Sequence, residues 1–205
     1  MPQTATTPMK LVILDRDGVI NHDSDQYIKS PAEWRPIAGS LEAIAKLNQH
    51  GYTVAVATNQ AGVARGLFDM KTLNAIHQKL HTSAQAAGAH IDAIFFCPHA
   101  AEEYCDCRKP RPGMLKSIGD RFEVDLRGVP MVGDALRDLQ AGFEVGCAPY
   151  LVLTGKGERT LEKGGLPPGT QVFDNLAAVV DRLLHLEAVA LETAELARAA
   201  LGRKK

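Results

Sequence analysis

The chain has 205 residues, 45% of them hydrophobic, with a formal charge of −1 and four cysteines. That length suits one domain with a sizeable buried core. Basic residues do not gather into a stripe, so no nucleic-acid partner is expected. No apolar run approaches the roughly 20 residues that span a bilayer, so no membrane partner is expected either.

The first eight residues lack the apolar segment of an export signal and read as a loose arm. Lys10–Leu14 follows as an apolar strand that ends directly in Asp15-Arg16-Asp17-Gly18-Val19. Two carboxylates there repel, and each raises the pKa of the other unless a cation sits between them. Gly18 lets the chain turn away sharply. The pair is either an acidic turn or a divalent-metal site with a carboxylate free to act on a phosphoryl group. Later segments favour the second reading.

An amphipathic helix is predicted over Ser40–Gln49 and a strand over Tyr52–Thr58. The strand runs into Thr58-Asn59-Gln60, whose hydroxyl and amides can donate to a phosphate oxygen, although Thr-Asn is also ordinary turn chemistry. A helix pattern over Asp69–Ala87 and a third strand over Ile91–Cys97 come next. Cys97-Pro98-His99 and Cys105-Asp106-Cys107 then stand five residues apart. Without an export signal, clustered cysteines indicate metal rather than disulfides, and a reducing cytoplasm is the simplest compartment. Three thiolates and one imidazole match a closed, structural Zn²⁺ site of Cys97, His99, Cys105 and Cys107. Zinc would fix this loop and so place Lys109, which Pro110 restricts to extended geometry. A lysine that neutralises phosphoryl oxygens recurs in phosphoryl-transfer sites, although a single lysine is more often plain surface. Cys147 stands apart and reads as a packed thiol.

Helix patterns over Pro112–Arg121 and Ala135–Phe143 flank a strand at Val129–Val132, which leads into Gly133-Asp134. Asp134 would add a carboxylate to the first two, completing an oxygen site of the Mg²⁺ type. Asp138 reads equally well as a further site carboxylate or as a charge favouring the helix N-terminus. A strand at Pro149–Leu153, a Gly/Pro-rich loop over Lys156–Thr170 and a short strand at Gln171–Phe173 lead into a helix from Asn175 onward. The apolar positions of that helix fit packing on the body or on another copy. Strand-length apolar runs alternating with helices imply βαβ units and a parallel sheet covered on both faces. Asp15, Thr58, the cysteine loop and Asp134 all follow strands, at the carboxyl ends where such sheets place their chemistry.

In order and identity, D-x-D-G-V, the Thr after the second strand, the later Lys and G-D-x-x-x-D resemble the four motifs of the haloacid dehalogenase superfamily of phosphatases. The resemblance covers roughly Met9 to Gly155. It implies a single Rossmann-like α/β domain at 9–185 with no separate cap, between the arm at 1–8 and a helical tail at 186–205. It implies that Asp15 attacks phosphorus to form an aspartyl-phosphate and that Asp17 serves as general acid and base. Thr58 and Lys109 would hold the transferring oxygens. Mg²⁺ would sit on Asp15, Asp134 and the backbone carbonyl of Asp17.

The zinc loop, with T-N-Q-A-G-V-A-R-G and C-D-C-R-K-P-R-P-G-M, narrows the resemblance to a branch that removes the 7-phosphate of heptose 1,7-bisphosphates. Members act in making nucleotide-heptose precursors of bacterial surface glycans. The substrate implied is a sugar bisphosphate, bound by a monomer. Asn59, Gln60, Asp23 and Tyr27 would contact it, and Arg65 and Arg108 could read its second phosphate by bidentate pairing. The anomer is left open. Two other readings remain: a histidinol-phosphate phosphatase, whose family shares the zinc loop, and a phospho-acceptor signalling domain, which keeps its phosphoryl group for long periods.

Overall fold

The structure is a computed structural model that describes residues 9–202. The arm at 1–8 lies outside the described residues. Six strands form one parallel sheet in the order β3-β2-β1-β4-β5-β6: β1 Lys10–Leu14, β2 Tyr52–Asn59, β3 Ala93–Cys97, β4 Pro130–Gly133, β5 Ala148–Val152 and β6 Gln171–Phe173. The order reverses between β1 and β4, and a crevice outside the carboxyl ends of the strands is expected at that point.

Alternation along β1 explains why its sequence is apolar without a break. Val12 and Leu14 pack on one face with residues of α1 (Ser40–Gln49), α2 (Met70–Ala86) and α6 (Leu176–Gly202), such as Ile44, Ile76 and Val179. Leu11 and Ile13 pack on the other with residues of α3 (Gly113–Phe122) and α4 (Leu136–Glu144), such as Leu115 and Ala141. A strand buried on both sides cannot carry a polar stripe. Each such side chain contributes about 1.5–3 kcal/mol by leaving water, so the carboxylates at the end of β1 sit on a rigid support.

The helix ends follow from local chemistry. The Asp69 side chain accepts from Thr72 N at 2.7 Å and starts α2, and Asn175 accepts from Ala178 N at 3.0 Å and starts α6. The predicted elements are displaced by at most two residues, with two omissions, a single 3₁₀ turn at Ala101–Glu103 and one α-helix. The segment read as a Gly/Pro-rich loop holds a helix, α5, at Gly157–Lys163. A tertiary contact supports it: Thr160 Oγ1 donates to Asp134 O at 2.9 Å. The last helix passes residue 185 without a break, and residues 188–198 are exposed along it. Among the described residues no helix is long and apolar enough to cross a membrane.

Among the described residues no separate domain covers the sheet. Residues 15–39 form instead a loop pinned by Asp17–Asn21 and Asn21–Pro36 bridges, with Trp34 fully buried beneath it. This loop makes one wall of the cleft described next.

Candidate active site

A cleft of about 210 Å³ opens at the carboxyl ends of β1 and β2. Asp15 leaves β1 and is almost wholly buried. Its Oδ1 accepts from Arg16 N at 2.8 Å and is 2.9 Å from Lys109 Nζ. Among the described residues no protein group hydrogen-bonds Oδ2, which is left for a substrate or a metal. Lys109 is equally buried, and its Nζ also meets Asp138 Oδ1 at 2.7 Å and Ala57 O at 2.6 Å. Burial alone would lower the lysine pKa, but the Asp138 and Asp15 charges raise it, so the ammonium is kept.

Asp134 leaves β4. Its Oδ2 accepts from Lys156 N at 2.8 Å, while its Oδ1 is buried without a hydrogen-bond partner among the described residues. Gly18, at φ 85°, leaves room for this carboxylate, since a Cβ there would collide with Asp134 Oδ2. Carboxylate oxygens of Asp15, Asp134 and Asp138 lie within 4.8 Å of one another. Desolvation, then the charge of Asp138, pushes Asp15 up to about 6; desolvation with Asp138 and Asp15 pushes Asp134 up to about 8. Three carboxylates against one ammonium leave a formal charge of −2. A divalent, oxygen-loving cation fits both that charge and the orphaned oxygen.

Asp17 behaves differently from its neighbour. Burial opposes its ionisation, but the Arg16 charge and hydrogen bonds from Asn21, Arg16 and Gln60 outweigh that and hold its pKa below the usual carboxylate range. The two carboxylates of the motif are therefore split, one up and one down: burial and Asp138 outweigh Lys109 at Asp15, whereas Arg16 and the hydrogen-bond donors outweigh burial at Asp17. Thr58 is buried at the end of β2, and its Oγ1 accepts from Gln60 Nε2 at 2.8 Å. That bond leaves the hydroxyl hydrogen free for a phosphate oxygen.

The second cluster lies past β3. Cys97 Sγ is 3.5 Å from Cys105 Sγ and 3.6 Å from His99 Nδ1, and Cys107 Sγ is 3.3 Å from His99 Nδ1 and 3.6 Å from Cys105 Sγ. Tetrahedral zinc with its usual bond lengths requires separations of about 3.8 Å between sulfurs and about 3.6 Å between sulfur and nitrogen. The four ligands are close to that geometry with no ion in place, and they could hold zinc with no position left open.

Comparisons with known proteins agree with this geometry. A family model described as HAD-hydrolase-like matches residues 106–179. The D-glycero-beta-D-manno-heptose-1,7-bisphosphate 7-phosphatase of Bordetella bronchiseptica is 60% identical, with 86% of this chain and 99% of that protein covered. The Pseudomonas aeruginosa protein of the same name is 56% identical over 85% of this chain and 98% of its own. A crystal structure of D,D-heptose 1,7-bisphosphate phosphatase from B. bronchiseptica, complexed with magnesium and phosphate, superposes with a TM-score of 0.85 at 59% identity, covering 86% of this chain and 99% of that one.

The chain belongs to the D,D-heptose 1,7-bisphosphate phosphatase family.

Within this member of the heptose bisphosphate phosphatase family, most residues singled out in the sequence do converge. Asp15, Asp17, Asp23, Tyr27, Thr58, Asn59, Gln60 and Arg108 all line the cleft. Two expectations need correction. Arg65 does not line it; its guanidinium lies outside, 3.8 Å from Glu102 and 6.0 Å from the Tyr27 ring centroid. The Asp17 carboxylate pairs with Arg16, so the carboxylate cluster is Asp15, Asp134 and Asp138, and the ligand expected of Asp17 is its backbone carbonyl. Zinc is not what holds Lys109 alone. Asn59 grips the lysine backbone from both sides, accepting from Lys109 N at 3.1 Å and donating to Lys109 O at 3.0 Å. What the zinc loop does hold is Arg108, whose Nη1 donates to His99 O at 3.1 Å.

Sequence reasoning missed Arg137 and Lys156, two further cations in the wall. Lys156 Nζ reaches Asp23 at 2.7 Å across the cleft mouth. Its place in an apparent loop hid it. Arg137 lies one residue before Asp138, so the G-D-x-x-x-D spacing already marked its turn of helix as facing the site.

Proposed function

We propose that this chain is a Mg²⁺-dependent phosphatase that removes the 7-phosphate of D-glycero-β-D-manno-heptose 1,7-bisphosphate in nucleotide-heptose synthesis. The observation that carries the reading is that Asp15 and Thr58 line one cleft while Lys109 and Asp134, from two further segments, close on Asp15, in a chain 60% identical to a relative with that name. The β anomer follows the relatives' names.

In this reading Asp15 Oδ2 attacks phosphorus, and the bond from phosphorus to the sugar oxygen breaks. Asp17, ionised in the free enzyme, takes up a proton from solvent as the phosphate dianion enters and gives it to that oxygen, which leaves as the alcohol, and Asp15 carries the phosphoryl group. Water then attacks the aspartyl-phosphate, Asp17 takes its proton, and inorganic phosphate leaves. Lys109, which releases one of its three protein acceptors as substrate enters, and Thr58 donate to the phosphoryl oxygens, where charge spreads in a loose transition state. Asp15 and Asp134, with the backbone carbonyl of Asp17, would hold Mg²⁺, which supplies positive charge toward the same oxygens. Arg108, Arg137 and Lys156 line the outer cleft, where the second phosphate of a bisphosphate needs cations. The reading places the enzyme in the cytoplasm as a monomer and needs no nucleic-acid or membrane partner.

A phosphate-release assay with Mg²⁺ on both heptose bisphosphate anomers and on histidinol phosphate tests the substrate. The β-bisphosphate should have the highest kcat/KM, and a preference for histidinol phosphate would overturn the assignment. The metals give a second expectation. Elemental analysis should find about one Zn²⁺ per chain, and mild EDTA treatment should remove activity that Mg²⁺ restores, because thiolate and carboxylate sites sort soft from hard ions. A carefully purified sample without zinc would contradict the closed-site reading.

A further inference from the structure

Arg16, the residue between the two motif aspartates, is fully buried and does not line the cleft. It cannot touch a substrate, yet it makes most of the contacts to Asp17. Arg16 Nε and Nη2 donate to Asp17 Oδ1 at 3.0 and 2.8 Å, and Nη2 also reaches Oδ2 at 2.9 Å. Asn21 Nδ2 adds a bond to Oδ1 at 2.9 Å. With three donors Oδ1 has no capacity left. Oδ2 receives the shared Nη2 and Gln60 Nε2 at 3.0 Å, so it is the less crowded oxygen and the one on which a proton is more easily placed.

The same guanidinium orients Gln60. Nη2 lies 3.3 Å from Gln60 Oε1, so the Gln60 amide group turns its NH₂ toward Asp17 Oδ2 and Thr58 Oγ1. Behind it, Arg16 Nη1 lies 3.3 Å from His77 Nε2, and the His77 ring leans on Phe96 with centroids 5.8 Å apart. Desolvation and then the Arg16 charge push His77 down to about 3, so the imidazole is neutral and Nε2 accepts from Arg16.

We propose that Arg16, braced by His77, is the positioning residue of the general acid: its fork fixes the rotation of Asp17 so that Oδ2 faces the leaving oxygen. This deepens the proposed function and rests on Asp17 being the acid in that reaction. A charge alone would not suffice. Lysine would keep the cation but lose the planar fork that binds both carboxylate oxygens and Gln60 together.

The test separates leaving groups. A sugar alkoxide needs a proton to depart, whereas 4-nitrophenolate leaves without one. Single-turnover rates with enzyme in excess read the bond-breaking step before any hydrolysis of the intermediate. Asp17→Asn should slow that step on the heptose bisphosphate about 10²–10⁴-fold, and Arg16→Lys at least about tenfold. On 4-nitrophenyl phosphate each variant should lose clearly less than it loses on the heptose bisphosphate. If Asp17→Asn separates the two substrates and Arg16→Lys slows both alike, or slows neither, the positioning role is overturned while the acid reading stands. If Asp17→Asn itself fails to separate them, the acid reading falls and takes this proposal with it. Should Arg16→Lys not fold, His77→Leu and His77→Gln decide. Leucine removes the acceptor and should give the leaving-group-selective loss; glutamine restores an acceptor and should recover the rate. Equal rates for those two variants would overturn the proposal.

Discussion

Asp15→Asn should lower turnover by about 10⁴-fold or more while the protein stays folded. The amide keeps an oxygen for the Arg16 N–H and for Lys109, so the local hydrogen bonds survive. It also removes one of three crowded carboxylates, a change that does not burden a site already short of positive charge. What it cannot do is form an acyl phosphate. Thermal unfolding should therefore change little, and the single-turnover rate should collapse. Near-normal hydrolysis by the variant would mean that another group attacks phosphorus.

Lys109→Met should cost about 10²–10³-fold in kcat/KM, the usual loss when a preorganised donor to a developing charge is removed. The lysine has three ligands for its ammonium and two hydrogen bonds to its backbone, none of them from the zinc cluster. Breaking the cluster by Cys107→Ser should thus leave Lys109 largely in place. The smaller loss, roughly tenfold, should appear in KM, because Arg108 is tethered to the backbone of His99 and would swing free. The double variant should show close to the product of the two losses, since different contacts are removed. A Cys107→Ser loss as large as that of Lys109→Met, with no further loss in the double variant, would restore zinc as the sole support of the lysine.

The strands and the first-rank site residues were legible because their signals are local. An apolar run ending in a carboxylate states both the strand and the end at which its chemistry sits, and this holds for Asp15, Thr58 and Asp134 alike. Asp138 was readable as either a cap or a site residue, and it is both: Oδ2 accepts from Ala135 N at 3.1 Å while Oδ1 holds Lys109. Side-chain direction in loops was not legible. Arg65 follows Thr58-Asn59-Gln60 closely in the chain, yet the turn after β2 sends it outward to Glu102. Lys156 was hidden because α5 takes its support from Asp134 rather than from its own Gly-rich surroundings. The Arg16–His77 contact joins residues 61 positions apart, and only the packing of α2 on the sheet brings them together.

The central claim is tested most directly by phosphorus NMR of D-glycero-β-D-manno-heptose 1,7-bisphosphate during turnover with Mg²⁺. The account predicts that the signal of the C7 phosphate decays into inorganic phosphate while the anomeric phosphate signal persists in the product. Loss of the anomeric phosphate first, or no release at all from a zinc-loaded, magnesium-supplied enzyme, would contradict it.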